Sequence, residues 1–247
     1  RIRTIRLTAA SLHPSGPLLR AICSLGVSPF LNQMAMFLVQ ITLNNTLTYY
    51  GALSHYGEDI PLACVGVISK VNILMLGFTL GISQGCQPIF SYNYGARQYS
   101  RVREAYRKAI VAASVICCIA FVCFQLFPRP IVALFDPSGS EEYFQFAERY
   151  FRIYMFMTLA NAFQPITANF FTSIGKAKRG ALIALTRQVI FLIPLILIFP
   201  LFLGIDGVMY AGPIADSAAV VVALALVTRE MKRMPHVDEP VAADTPV

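Results

Sequence analysis

Three ionisable side chains, Lys70, Arg187 and Asp216, interrupt long apolar stretches of this 247-residue sequence. A helix rises about 1.5 Å per residue, and counting along the three stretches places each charge near the middle of a membrane. A charge at that depth costs about 2.5–3.5 kcal/mol on insertion scales, so each is expected to pair or to face a wet cavity. Asp216 is the only carboxylate of the three, and two cations compete for it.

Three interpretations of these charges stay open. In the first, Arg187 and Asp216 form a structural ion pair that locks the last two helices together. In the second, Asp216 or Lys70 lies on an ion or substrate pathway. In the third, Arg187 extends along its own helix and carries its charge to the cytoplasmic membrane surface.

Amides and small residues add polar faces to the same apolar stretches. Gln33, Gln40 and Asn44 are spaced by seven and four residues, which places them on one face of a helix. A second face, within about 40° at the helical rotation of about 100° per residue, carries Lys70, Gly77, Gly81, Gln84 and Pro88. Neither face suits lipid, and GFTLG at 77–81 is also a GxxxG motif for close helix packing. The candidate residues of a substrate or ion pathway are therefore Gln33, Gln40, Asn44, Lys70, Gln84, Arg187 and Asp216.

The residue types that perform catalysis or bind metals are scattered. Six cysteines lie in or beside apolar stretches without a CxxC pair or a neighbouring histidine, so neither a zinc site nor a disulfide framework is indicated. A membrane enzyme would need a nucleophile and a base, or metal ligands, near an interface. We therefore predict no catalytic residue, no metal site and no cofactor. A membrane scaffold that transports nothing is a further alternative, although uncompensated polar faces would be a needless cost for it.

The composition indicates a lipid environment. The chain is 56% hydrophobic and 13% charged, with a mean hydropathy of +0.61, whereas a soluble domain carries about 25% charged residues. Its net charge of +7 comes from cations that cluster between apolar blocks, so the expected partner is a lipid bilayer and not nucleic acid. We predict an all-α, polytopic membrane protein whose six spans have about 20 residues or more: 26–50, 62–86, 106–128, 150–173, 180–203 and 207–228.

Charge alternates between the two ends of these spans. Fifteen of the 20 basic residues lie in the N-terminal segment, in every second break and after the last span. By the positive-inside rule both termini are cytoplasmic. Residues 1–19 are predicted to form a cytoplasmic connector, 20–233 the transmembrane unit, and 234–247 a disordered cytoplasmic tail.

Local signals refine these elements. The segment 92–104 is predicted to form a basic loop, and the third helix is expected to stop near Pro128. Glu148 and Arg152 are spaced to pair along one helix. Asn161, Gln164 and Pro165 on the fourth predicted helix, and Pro194 on the fifth, indicate kinks.

The run GISQGCQPIFSYNYGA, from Gly81 to Ala96, is the most specific motif. It closely resembles the helix-8 to helix-9 region of the multidrug and toxic compound extrusion (MATE) transporters, whose pattern is G-x-x-Q-G-x-Q-P-x-x-x-Y-N-Y-G-A and then R-V. Twelve positions match in order: Gly81, Gln84, Gly85, Gln87, Pro88, Tyr92, Asn93, Tyr94, Gly95, Ala96, Arg101 and Val102. The signature loop expected from this resemblance contains Gln87, Pro88, Tyr92, Asn93, Tyr94 and Gly95.

This resemblance implies both an architecture and a function. MATE transporters have twelve spans in two six-helix lobes, and the likeness covers about 20–230, so the chain resembles the C-terminal lobe, closest to the bacterial multidrug branch. The family exports organic, often cationic, small molecules in exchange for protons or sodium. The expected partner is a missing N-terminal six-helix lobe, and the expected location is the bacterial plasma (inner) membrane.

The same resemblance bears on the coupling ion and on an alternative transport function. Sodium-coupled members place carboxylates on the helices that match 26–50 and 150–173, and those spans carry amides here. This favours proton coupling over sodium. A lipid-linked saccharide flippase shares the fold superfamily and is the alternative transport function, whereas YNYGA and PIAD favour the MATE interpretation.

Overall fold

The computed structural model describes residues 16–137 and 139–235, and all regular structure in these ranges is helical. A 3-10 segment, Met155–Leu159, joins α5 to α6, and a π segment, Thr186–Leu192, joins α7 to α8. The helices are α1 (Gly16–Ala52), α2 (Asp59–Gly95), α3 (Tyr99–Leu126), α4 (Pro128–Ala133), α5 (Glu141–Tyr154), α6 (Ala160–Ser173), α7 (Ala177–Leu185), α8 (Ile193–Leu203) and α9 (Ile205–Arg233).

These helices form six consecutive rods, each overlapping one predicted span. Four rods are long and apolar enough to cross a membrane: α2, α3, the rod from α7 through α8, and α9. The all-α membrane fold is therefore confirmed. The spans predicted over 26–50 and 150–173 overlap α1 and the rod from α5 through α6, and their membrane crossing stays a prediction.

Both ends of the predicted domain plan lie largely outside the described residues. The connector predicted over 1–19 is described only from Gly16, where α1 already begins. The tail predicted over 234–247 is described only at Met234 and Pro235. Met234 is buried, and its carbonyl oxygen accepts a hydrogen bond from Arg103 at 2.8 Å.

The loop predicted over 92–104 is wrong, because α2 continues through Gly95 and α3 begins at Tyr99. Two polar side chains bond back within the helix: Ser91 donates to the carbonyl of Gln87 at 2.7 Å, and Asn93 donates to that of Ile89 at 2.8 Å. Such bonds satisfy groups that would otherwise favour a turn. Phe90, which is fully buried, anchors this end of the helix in the core, so packing overrides the local turn signal.

Helix distortions occur near the predicted kinks. In the rod from α5 to α6, the backbone leaves helical geometry at Met157 (φ −91°, ψ 21°), which is eight residues before Pro165, or a little over two turns. In the next rod, the π segment ends directly before α8, whose first turn contains Pro194. Proline cannot donate a backbone hydrogen bond to the preceding turn, and a widened turn is a common accommodation. The third rod ends at Leu126, as predicted near Pro128.

One part of the core is an aromatic cluster between α2, α3 and α6. The ring of Phe170 lies 5.3 Å from that of Phe90 and 5.0 Å from that of Tyr106. Large apolar side chains also cover the outside of the bundle, including Leu134 and Phe202 at 83% and 81% exposure. An apolar exterior is expected where lipid is the solvent.

Two glycines allow neighbouring rods to approach closely. A Cβ on Gly180 of α7 would lie 2.6 Å from the carbonyl oxygen of Ala168 on α6. A Cβ on Gly207 would lie 2.5 Å from the backbone of Phe199, across the tight turn where Gly204 has a φ of 59°. Because only glycine fits these contacts, both positions fix the spacing of consecutive rods.

Candidate functional site

Arg187 and Asp216 meet inside the bundle. Nε of Arg187 donates to Oδ1 of Asp216 at 2.5 Å, and the two side chains are 14% and 12% exposed. Arg187 lies in the π segment and Asp216 on α9, so the predicted ion pair between the last two rods is confirmed. This contact is incompatible with the interpretation in which Arg187 extends to the membrane surface. A pathway role for either residue stays a prediction.

Arg187 also lines a cavity of about 140 Å³ between α1, α2, α5 and the last two rods. Val39, Leu192 and Ile196 form part of its apolar lining. Cavities that hold small molecules combine such apolar walls with a few polar groups that fix orientation. The polar lining consists of Gln40, Ser69, Asn72, Tyr150, Tyr154, Arg187 and Gln188.

Two stacked tyrosines form the wall that α5 contributes. The rings of Tyr150 and Tyr154 are 5.7 Å apart at an angle of 20°. Gly212 of α9 makes room for this wall, since a Cβ there would lie 2.7 Å from Cε2 of Tyr154. Sequence reasoning missed both tyrosines. Their spacing of four residues placed them on one helix face, but nothing in the sequence showed that this face meets α9.

A second, smaller cleft lies on the other side of the ion pair. Ala160, Gln164 and Val220 line it together with Arg187 and Asp216. Gln164 comes from α6, so polar groups of three rods converge on the pair. The sequence singled out Gln164 as part of a kink and not as a neighbour of Asp216.

The amides predicted on α1 lie at different distances from this site. Gln40 lines the cavity and donates to the side-chain oxygen of Asn44 at 2.9 Å, as expected for residues on one face. Gln33 is exposed on the same helix and lines neither the cavity nor the cleft.

The polar face predicted on α2 stays on the surface. Lys70 and Gln84 are exposed and line neither cavity. No described carboxylate forms an ion pair with Lys70, so Arg187 is the partner that Asp216 takes. A Cβ on Gly77 or Gly81 would meet nothing within 4 Å. The two glycines of the GxxxG motif therefore pack against no other described rod, and their face lies open.

The predicted signature loop is the last part of α2. Gln87 and Tyr94 are half-buried, Pro88 and Tyr92 are exposed, and Asn93 is buried. Gly95 is the final residue of the helix. The ring of Tyr94 contacts that of Tyr99 at 5.6 Å across the turn into α3. The conformation expected for these six residues is therefore wrong, and they do not adjoin the Arg187–Asp216 pair.

A second ion cluster, centred on the buried Glu230, joins the α6–α7 turn to α9. Glu230 is 2% exposed, and its carboxylate accepts hydrogen bonds from both Lys176 and Arg179. Sequence reasoning missed Glu230 because a single acid among basic residues at a helix end suggests an exposed position. The pair predicted between Glu148 and Arg152 is confirmed at 2.8 Å.

Comparisons with known proteins match this fold along most of its length. A family model described as MatE matches residues 33–198. The multidrug export protein MepA of Staphylococcus aureus (strain bovine RF122 / ET3-1) is 23% identical over 216 residues, covering 87% of this chain and 45% of that protein. MepA of Staphylococcus haemolyticus (strain JCSC1435) is 22% identical over 226 residues, covering 91% and 47%.

Solved structures give the same picture of the fold. Multidrug resistance MATE family transporters of the MOP superfamily in outward-facing and inward-facing conformations match with TM-scores of 0.80 and 0.81, at 20% identity. They cover 93% and 92% of this chain, over 50% and 51% of their own length. A MOP superfamily transporter from Pyrococcus furiosus also matches, with a TM-score of 0.80, 20% identity, and coverage of 93% and 50%. The chain therefore spans about half the length of the proteins it matches.

Proposed function

The chain belongs to the MatE family, and on this premise we propose that it forms one half of a membrane transporter that exports organic compounds. Its relatives carry the name of multidrug export proteins, so we assign transport to it rather than catalysis. Its solvent is the lipid bilayer, because four rods are long and apolar enough to span one. The bacterial inner membrane, with both termini cytoplasmic, is part of the proposal.

The polar cavity beside Arg187 and Asp216 is the observation that supports transport best. A membrane scaffold needs no polar space of about 140 Å³ beside its ion pair, whereas a transporter needs polar groups at the depth where substrate or ion passes. Gln40, Tyr154 and Gln188 complete that lining. We propose that this cavity forms part of the substrate pathway.

The second half is proposed as a matching six-helix lobe that covers the open face of α2. Lys70 and Gln84 are exposed there, beside the glycines of the GxxxG motif. Polar and small residues on an apolar helix suit contact with protein or water and not with lipid. The half-length match to relatives supports the same arrangement.

Substrate and coupling ion are the finer parts of the proposal. We assign organic, cationic substrates and proton coupling, with sodium as the alternative ion. The polar residues of α1 include the amides Gln33, Gln40 and Asn44, and the helix contains no carboxylate between Gly16 and Ala52. A sodium site uses oxygen ligands that commonly include carboxylates, so α1 favours proton coupling. Export of a lipid-linked saccharide is the alternative transport activity.

Proteoliposomes test this proposal directly. We expect residues 1–247 alone to move no ethidium, an organic cation, under an imposed proton or sodium gradient. Adding a matching first lobe is expected to restore ethidium efflux under the proton gradient. Efflux by residues 1–247 alone would contradict the half-transporter proposal, and an assembled complex that moves no ethidium under either gradient would contradict drug transport. Movement of a lipid-linked saccharide by that complex would then favour the alternative.

A further inference from the structure

One end of the bundle gathers exposed cations from three separate elements. Arg103, near the start of α3, donates to the carbonyls of Met234 and Pro235 at 2.8 and 2.7 Å. The α6–α7 turn is joined to the same end of α9 by the buried Glu230 cluster. These contacts bring the start of α3, the start of α7 and the end of α9 to one surface, which we call the basic end. Its exposed cations are Arg101, Arg107, Lys178, Arg229, Lys232 and Arg233.

The charge of the basic end is not neutralised within the described residues. None of its six cations forms an ion pair with a described carboxylate. Two described carboxylates lie on the same segments. Glu104 pairs with Lys108 at 2.7 Å, and Glu230 is occupied by its own two partners. Among the described residues, this surface therefore carries a net positive charge, which favours an anionic ligand.

The position of these cations along their helices selects the kind of ligand. Arg107, Lys178 and Arg229 each lie within about two turns of an uncharged apolar run: 109–124, 180–186 and 218–228. Just inside these cations, each helix exposes an apolar side chain, namely Val111, Leu182 and Leu224. Cations thus lie where the hydrocarbon contact ends, which is the level of lipid phosphates.

We propose that the basic end binds the phosphate headgroups of anionic phospholipids, while their acyl chains contact the exposed apolar residues beside it. Each lysine or arginine near a membrane surface attracts anionic lipid, and several together make a selective surface. A soluble phosphate has the same headgroup chemistry but no acyl chain to contact Val111 or Leu224. None of the six cations lines the central cavity, so this lipid surface is independent of the proposed transport.

Native mass spectrometry of the purified 247-residue chain tests this surface. In detergent, we expect phosphatidylglycerol to be retained about tenfold more than phosphatidylcholine with the same acyl chains. That preference is expected to fall as sodium chloride screens the charges. Equal retention of the two lipids would overturn the proposal. Inorganic phosphate is added in a separate competition, at the same concentration as the lipids. If it abolishes the preference for phosphatidylglycerol, the surface binds a free anion instead of a lipid.

Two matched triple variants locate the lipid surface. Arg229→Gln, Lys232→Gln and Arg233→Gln together remove three cations from the basic end, and we expect most of the preference for phosphatidylglycerol to be lost. The control combines R129Q, R149Q and R152Q, which remove three cations from the segments that carry the other ion pairs. Equal loss of preference in both variants would overturn the assignment to the basic end. Far-ultraviolet circular dichroism verifies that each variant remains helical.

Discussion

At the scale of single residues, Arg187 and Asp216 form an ion pair in which both side chains are largely buried. Removing two charges from water is costly, so the pair itself adds little net stability, but one partner left alone is strongly unfavourable. The pair also separates the cavity from the smaller cleft, since Arg187 lines both. A change at either residue therefore affects stability and, under the proposed function, transport.

Arg187→Leu and Asp216→Leu separate the structural role of the pair from a titrating role. Each single change leaves an uncompensated charge and is expected to cost about 3–5 kcal/mol, while the double change should be much milder. Thermal unfolding in detergent measures this effect, with the exposed Lys70→Leu as a control that should have little effect. Additive losses in the double variant would contradict the pairing.

Transport in the same variants separates the two remaining interpretations. If the pair is structural only, the double variant should fold and keep most of its ethidium efflux once a first lobe is present. If Asp216 binds and releases the coupling proton, the double variant should fold but lose coupled efflux.

Sequence alone predicted the charges of this site but not its walls. Insertion cost singled out Arg187 and Asp216, because a charge in an apolar stretch is conspicuous. Helical spacing placed Gln40 beside Asn44 in the same way. Tyr154 and Glu230 were not predicted. An aromatic residue, or an acidic residue near a helix end, carries no evident free-energy cost of membrane insertion until its neighbours are known. Lys70 was grouped with Arg187 and Asp216 because of its depth in the membrane. Depth does not tell which neighbour a helix face contacts.

At the scale of helices, glycines determine which rods can touch. Gly180 brings α7 against α6, whereas the glycines of α2 face open space. The GxxxG pattern predicted close packing on α2, and the described residues show this contact at Gly180 instead. A GxxxG motif indicates that small residues on one helix face permit close approach of another helix. Only the assembled bundle shows whether another rod packs there. The turn signal in YNYGA failed for a related reason, because buried Phe90 holds the helix in the core.

Alanine at two glycines tests this difference. Gly180→Ala would place Cβ 2.6 Å from the carbonyl oxygen of Ala168, so we expect a loss of about 1–3 kcal/mol from overpacking. Gly85→Ala meets nothing within 4 Å and is expected to be neutral or to stabilise by up to about 1 kcal/mol, because alanine favours helix. Thermal unfolding of both variants in one detergent compares them, and equal destabilisation would contradict the contact.

At the scale of the whole molecule, the proposed function predicts that a first lobe binds the open face of α2. Gly77→Leu combined with Gly81→Leu should leave the unfolding temperature of this chain nearly unchanged, because both positions are free of contacts here. The same change should prevent close approach of a first lobe. Co-purification of a tagged first lobe measures that association, with Ala112→Leu, an exposed position on α3, as the control. Normal co-purification of the double variant would place the lobe interface elsewhere.

The orientation of the whole bundle rests on its charges. Arg101 and Lys178 lie at the basic end. Glu141 is the first residue of α5 and forms an ion pair with Arg129. Because basic loops are retained in the cytoplasm, we expect cysteine at position 141 to be labelled in intact cells by a membrane-impermeant reagent. Cysteines at positions 101 and 178 should be labelled only after the membrane is opened.

This labelling needs a background without native thiols, because Cys23, Cys118 and Cys123 are exposed. If positions 101 and 178 are labelled in intact cells and position 141 is protected, the bundle has the opposite orientation in the membrane. The lipid surface would then face the opposite leaflet, although its chemistry would be unchanged. Mixed labelling of 101 and 178 would contradict the fold itself, since the contacts of Arg103 and Glu230 hold both segments at one end of α9. The experiment therefore tests the positive-inside assignment and the packing of the basic end separately.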